Sequence, residues 1–171
     1  MVDTQNLKIE LIEANAREHG ALFENLLNLY FYDFAEILGY DIGADGSYLQ
    51  NPHKWGDPGE VVYLLYVDEL PAGFAIIGQG SEIDRRTDVW DMHEFFVIRR
   101  HRRNGLGSWL AREVWRKHPG TWDVRVVKPN TGALAFWEGI IREVAAIKVA
   151  PESFTFPETA HEIFYFRFST P

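Results

Sequence analysis

Glu94-Phe95-Phe96-Val97-Ile98-Arg99-Arg100-His101-Arg102-Arg103-Asn104-Gly105-Leu106-Gly107-Ser108 is the stretch that decides the fold. Its first part is apolar at consecutive positions, as in a strand buried on both faces and central in its sheet. Its second part is a basic turn with two glycines. A helix follows, with Leu106, Trp109, Leu110 and Val114 at helical spacing. A strand that runs through such a turn into a helix builds an anion cradle. The first helical turn leaves N–H groups unpaired and its dipole is positive there. Glycines let the backbone approach a phosphate, and arginines add charge at the rim. The plainer alternative is a solvated basic face. A Walker loop needs G-x-x-x-x-G-K-[ST], and no lysine follows these glycines. A dinucleotide fingerprint needs a third glycine where Leu110 stands.

Working outward, Leu7–Ala14 alternates as a strand, and Ala16–Leu38 reads as a helix apolar over a wide arc and closed by Gly39. Residues 40–60 form a long loop with room for a short helix. Val61–Val67 and Gly73–Gly78 make a hairpin about Asp68–Gly73, and Asp88–Ile98 is a longer strand. Beyond the helix Gly105–Lys117 come a strand Trp122–Val127, a short helix Ala133–Gly139, and strands Arg142–Val149 and Ile163–Phe168. The aromatic tail Phe164–Phe168 fits either a core strand or a homodimer contact. No repeat or linker interrupts the chain, so residues 1–171 are expected to be one mixed α/β domain.

The formal net charge of −8 hides an uneven distribution. Residues 1–98 carry 18 acids against 5 bases, whereas residues 99–116 carry six arginines against Glu113 alone. An acidic chain is a poor nucleic-acid binder, although Arg99–Arg103 keeps such a contact as a third reading. With no cysteine, disulfides, thiolate nucleophiles and Cys-ligated zinc are excluded, and no metal is expected. The N-terminus lacks a signal pattern and the longest apolar run is too short for a membrane span, so a cytoplasmic protein without membrane contact is expected.

The Arg102-x-x-Gly105-x-Gly107 pattern after this strand resembles motif A of the GNAT superfamily of acyl-CoA-dependent N-acyltransferases. The block Asn130, Ala133, Phe136-Trp137 resembles the family's next strand–helix segment, and the order of elements is similar over nearly the whole chain. The resemblance implies a mostly antiparallel central sheet with helices on both faces, ordered β-α-(α)-β-β-β-α-β-α-β-β. It implies acetyl-CoA as cosubstrate. The pyrophosphate then falls on the turn Arg102, Arg103, Asn104, Gly105, Leu106, Gly107, with Ser108 adding a hydroxyl. The pantetheine arm falls on the backbone of Phe95, Phe96 and Val97, and Asn130 contacts the arm or caps its helix.

In such a transfer a neutral amine attacks the thioester directly, so no enzyme nucleophile is required. An alkylamine with a pKa of about 10.4 must first lose a proton. Glu94 is the leading base, since apolar neighbours raise a carboxyl's pKa; a salt bridge to the arginines is its structural alternative. His93 is second and Asp91 third. Period-two alternation puts Glu94 and His93 on opposite faces unless a bulge intervenes. Trp137 stands where many members have the tyrosine that protonates the thiolate, and an indole N–H is no usable acid. Its presence sustains the alternative of a non-catalytic acyl-CoA-binding module. Acceptor contacts are expected from the first helix and the long loop, with Tyr30, Asp33 and Trp55 leading and Tyr40, Asp41, Asp45, Tyr48 and Asp57 behind them. Aromatics with acids suit a small cationic amine.

Overall fold

Asn15 starts the first helix by accepting the Arg17 N–H on its side chain, and Gly39 ends it in the left-handed region at φ 71°. In this computed structural model, which describes residues 7–48, 59–145 and 149–171, that helix is α1 (Ala16–Leu38). The remaining elements are β1 (Ile9–Glu13), β2 (Glu60–Val67), β3 (Leu70–Gln79), β4 (Val89–Val97), α2 (Leu106–Lys117), β5 (Gly120–Val127), α3 (Thr131–Val144), β6 (Glu152–Thr155) and β7 (Glu162–Thr170). The strands form one seven-stranded sheet in the order β1-β2-β3-β4-β5-β7-β6. It is mostly antiparallel, with a parallel pairing between β4 and β5.

The chain divides into two compact units, Met1–Ile76 with Glu94–Leu110, and Ile77–His93 with Ala111–Pro171. In the first, β1 pairs with β2 from Ile9↔Val67 to Glu13↔Tyr63. The β2–β3 turn is two residues, Asp68 and Glu69, both at positive φ (49° and 66°), the backbone that matches strand twist in a tight hairpin. Phe23, Leu26, Leu27 and Tyr30 of α1 are buried in one cluster with Val62, Leu64, Phe74, Ile76 and Phe96. Each such side chain contributes about 1.5–3 kcal/mol by leaving water.

In the second unit, β5 pairs with β7 along eight residues, Gly120↔Thr170 to Val127↔Ile163. Trp115 lies edge-on to Phe168 at 5.1 Å, and Trp122 donates its indole N–H to the His118 carbonyl at 2.9 Å. Asp123 is fully buried and accepts from Arg167 Nε and Nη2, both at 2.7 Å, and from Ser81 Oγ at 2.6 Å. Arg167 also binds Asp84 and holds its carboxyl down at about 2.

Between two flanking hydrogen bonds, the β4 side of the β3–β4 pair carries one residue more than the β3 side. The backbone bonds Gly80 N–Val89 O (2.8 Å) and Ile98 N–Ala72 O (2.9 Å) enclose eight steps of β3, from Ala72 to Gly80. They enclose nine of β4, from Val89 to Ile98. Such a bulge breaks the period-two alternation that would set Glu94 and His93 on opposite faces.

The last third departs from the sequence reading. No strand covers Arg142–Val149 among the described residues; residues 142–144 are the end of α3, residues 146–148 lie outside the described set, and the penultimate strand is β6, further along the chain. Gly139 reads as a helix terminator in the sequence. Yet Trp137, Ile140 and Ile141 are all buried and carry one apolar stripe through it. Packing of that stripe outweighs the roughly 1 kcal/mol that a mid-helix glycine costs. A β-carbon at Gly139 would meet nothing within 4 Å. Gly139→Ala is therefore expected to raise the melting temperature by about 2–4 °C. A lowered value in thermal denaturation would show that α3 does not run through this position.

Candidate active site

β4 delivers Glu94 through Val97 to the turn, and the chain then tightens into one 3-10 turn over Arg99–His101. Arg103 and Gly105 take positive φ, 62° and 81°, before α2 begins. Trp109 N donates to Gly105 O at 2.9 Å and is the first amide of the helix to find an acceptor. The N–H groups from Arg103 to Ser108 make no hydrogen bond among the described residues. Six consecutive donors thus lack a protein acceptor where the positive end of α2 lies.

The arginines of this segment are not all at hand for an anion. Asp33 of α1, 14% exposed, binds Arg99 Nε and Nη2 at 2.9 and 2.8 Å through Oδ1, and Arg102 Nη2 through Oδ2. Arg102 also donates Nε to the Val97 carbonyl at 2.6 Å and lies 5.4 Å over the Phe96 ring. Arg112 and Arg116 pair with Glu143 and Glu113. Arg100 and Arg103 are exposed and engage in no ion pair among the described residues.

Asp33, expected at the acceptor, therefore has both oxygens taken by arginines. Arg102, expected at the phosphate rim, has its guanidinium turned back onto β4 and α1. The glycine-turn motif points to Arg102 and the aromatic–acid run of the first helix points to Asp33, and neither pattern reveals which charges neutralise one another.

Glu94 accepts a hydrogen bond from Tyr30 Oη. Tyr30 is 7% exposed, and its ring lies 4.6–5.8 Å from those of Phe31, Phe34, Phe74 and Phe96. It is a core residue whose polar end meets a carboxylate. Tyr40, one residue past Gly39, has its phenol pushed up by burial and by the Glu94 charge. Neither link was legible in the sequence, since both reach β4 across more than 50 residues. Tyr48 is anchored by its N–H on Asn28 Oδ1 at 2.8 Å, and Asp45 accepts the Ser47 N–H. Trp55 and Asp57 lie outside the described residues.

Phe96 and Val97 are buried, at 5% and 7% exposure. Ile98 N donates to Ala72 O on β3, so alternation turns the Val97 N–H and carbonyl to the opposite edge of β4. The β4–β5 register ends at Met92↔Val124. Gly73 makes this strand's position attainable: a β-carbon there would strike Phe96 O and come within 3.0 Å of Val97 Cα.

In the second unit, His93 lies over Gly78, where a β-carbon would fall 2.5 Å from its Cε1. Asp91 is fully buried beside Arg125 Nε at 3.0 Å; burial pushes its carboxyl up, against the pull of Arg125 and His93. Asn130 accepts the Ala133 N–H at 3.0 Å as the cap of α3. Trp137, 5% exposed, packs against Trp115 and Phe136. Among the described residues no cluster of three His, Asp or Glu is placed to hold a metal, and no helix is long and apolar enough to cross a membrane.

The sequence pattern of the acetyltransferase (GNAT) family matches residues 21–139. No curated protein gives a significant match. Solved structures resemble the chain at low identity. An acetyltransferase from Thermus thermophilus superposes with a TM-score of 0.65 at 14% identity, over 95% of this chain and 97% of its own. A GNAT-family acetyltransferase from Streptococcus pneumoniae gives 0.56 at 13%, over 96% and 100%. A Bacillus anthracis protein described as a streptothricin acetyltransferase, in complex with acetyl coenzyme A, gives 0.50 at 16%, over 68% and 66%.

The two close glycines are expected to differ in their tolerance of a side chain. Gly73→Ala meets strand backbone and should cost about 1–3 kcal/mol in denaturant unfolding. Gly78→Ala meets a side-chain ring, not strand backbone, and should cost less. Equal losses would mean that Gly73 does not set the approach of β3 to β4.

Proposed function

This chain belongs to the GNAT acetyltransferase family, and we propose that it moves an acetyl group from acetyl-CoA directly to the primary amine of a small, cationic acceptor. The observation that carries this reading is the run of six N–H groups, Arg103 to Ser108, that find no partner among the described residues, at the positive end of α2. The coenzyme's pyrophosphate accepts from these donors, and the exposed Arg100 and Arg103 add charge beside them. Support for the donor comes also from the acetyl coenzyme A named in the Bacillus anthracis complex. We read residues 1–171 as one catalytic domain, the family match running through both units.

The pantetheine arm lies along β4 past Met92. The Val97 N–H, directed away from β3, meets the thioester oxygen and stabilises the charge that develops on it. The Val97 carbonyl is already committed to Arg102, so the arm relies on the strand's donors there. The amine nitrogen attacks the carbonyl carbon; the C–N bond forms, the C–S bond breaks, and its electron pair leaves on sulfur. The amine's proton passes to Glu94, directly or through one water. A thiol pKa of about 8.5 lets the thiolate depart without full protonation, and buried Trp137 is assigned no acid role. His93 is the second candidate base. The acidity of residues 1–98, with Glu94 and Tyr40 at the site, favours a cationic acceptor.

Coenzyme A and acetyl-CoA are expected to raise the melting temperature, and amines to drive thiol release from acetyl-CoA. At about 100 times Kd, a ligand adds about 2.7 kcal/mol of stability. Glu94→Gln should lower turnover by about 10²–10⁴ with coenzyme binding retained. No thermal shift with either ligand would remove the reading altogether. A shift without thiol release from any of a broad panel of amines would favour the non-catalytic acyl-CoA-binding module.

A further inference from the structure

We propose that Asp33 is a positioning residue for the coenzyme, holding the β4–α2 turn in its anion-binding shape by drawing Arg99 and Arg102 back onto α1. The proposal rests on the coenzyme reading given above. Asp33 stands on a helix fixed by the buried side chains of Phe23, Leu26, Leu27 and Tyr30. Its two oxygens hold residues on either side of the 3-10 turn, Arg99 at the start and Arg102 just after it. Arg102 is further fixed by the Val97 carbonyl and the Phe96 face, and Arg99 lies 6.0 Å over the Tyr32 ring. Both ends of the turn are thereby tied to α1 and β4. The next residues, Arg103 to Ser108, are those whose amides are free. One carboxylate bridging two guanidiniums is a charge-assisted arrangement with little freedom of geometry.

This arrangement divides the labour within the basic segment. Arg99 and Arg102 shape the turn, and Arg100 and Arg103, exposed and in no ion pair among the described residues, face an incoming phosphate. It also makes a prediction of opposite sign from simple electrostatics. A negative charge near a phosphate site opposes an anion, so removing it should tighten binding. Removing a clamp should weaken binding, because the amides lose their common orientation before the ligand arrives.

The experiment is calorimetric titration of coenzyme A into the wild-type protein, Asp33→Asn and Asp33→Ala, with Glu36→Gln as the charge control. Asn keeps one acceptor oxygen and loses the other. Ala removes both and suits a helix, so it keeps the test available if the Asn variant does not fold. Glu36 is exposed on the same helix and acts on Arg99 through charge without a hydrogen bond. Both Asp33 variants are expected to raise Kd by about tenfold, equivalent to about 1.4 kcal/mol, with Glu36→Gln at or slightly below the wild-type value. An unchanged or lowered Kd in the Asp33 variants overturns the proposal, even if their melting temperature falls. Equal weakening by Glu36→Gln overturns it too, because charge alone would then explain the effect. Failure of the wild-type protein to bind coenzyme A would instead overturn the coenzyme reading, and the proposal with it.

Discussion

Backbone amides that find no acceptor are tolerated only where water or a ligand supplies one, and the turn from β4 into α2 presents six of them in succession. Left-handed conformations at Arg103 and Gly105 bend the chain where it enters α2, whose first three residues supply the last of these donors. Around this turn, Arg102 closes the last outward carbonyl of the strand, Asp33 pairs with Arg99 and Arg102, and Gly73 lets β3 come close to Phe96 and Val97. An acidic chain has kept a positive corner by pairing only part of its arginines.

The same helix that carries Asp33 carries Tyr30 one turn earlier. Tyr30 is set among four aromatic rings and reaches Glu94 with its hydroxyl. Dense aromatic packing is stiff, so the carboxylate is held by a rigid mount and not by a solvated side chain. α1 therefore supports two features of the first unit through one face: the proposed base on β4 and the turn that follows it. Asp91 shows the other fate of an acid on β4. Buried and facing Arg125, its carboxyl is pushed up by desolvation and serves the interior of the second unit.

Much of the fold was legible because it is local. The span of α1, its terminal Gly39, the hairpin and the strand–turn–helix segment all follow from periodicity and turn chemistry read within about 20 residues. Gly139 carries a terminator signal, yet the apolar stripe of α3 continues past it. Arg142–Val149 reads as a strand in sequence because β-branched residues suit a helix stripe as well as a strand. The candidate site was legible in its backbone part, since glycines and a strand end announce it. Its side-chain part was not. Tyr30 with Glu94, and Asp33 with Arg99 and Arg102, are partners more than 60 residues apart, and residue type alone cannot distinguish an acid awaiting a substrate from one already paired. Asn130 illustrates the point, having taken the capping role that its turn context allowed.

On the proposed function, the amides between Arg103 and Ser108 receive the phosphates of coenzyme A. Titration of coenzyme A into isotopically labelled protein, followed through backbone amide signals, tests it residue by residue. The largest shifts are expected on Gly105, Leu106, Gly107 and Ser108, reproduced in part by inorganic pyrophosphate. Saturable binding with the largest shifts elsewhere, and these four amides unmoved, would contradict it.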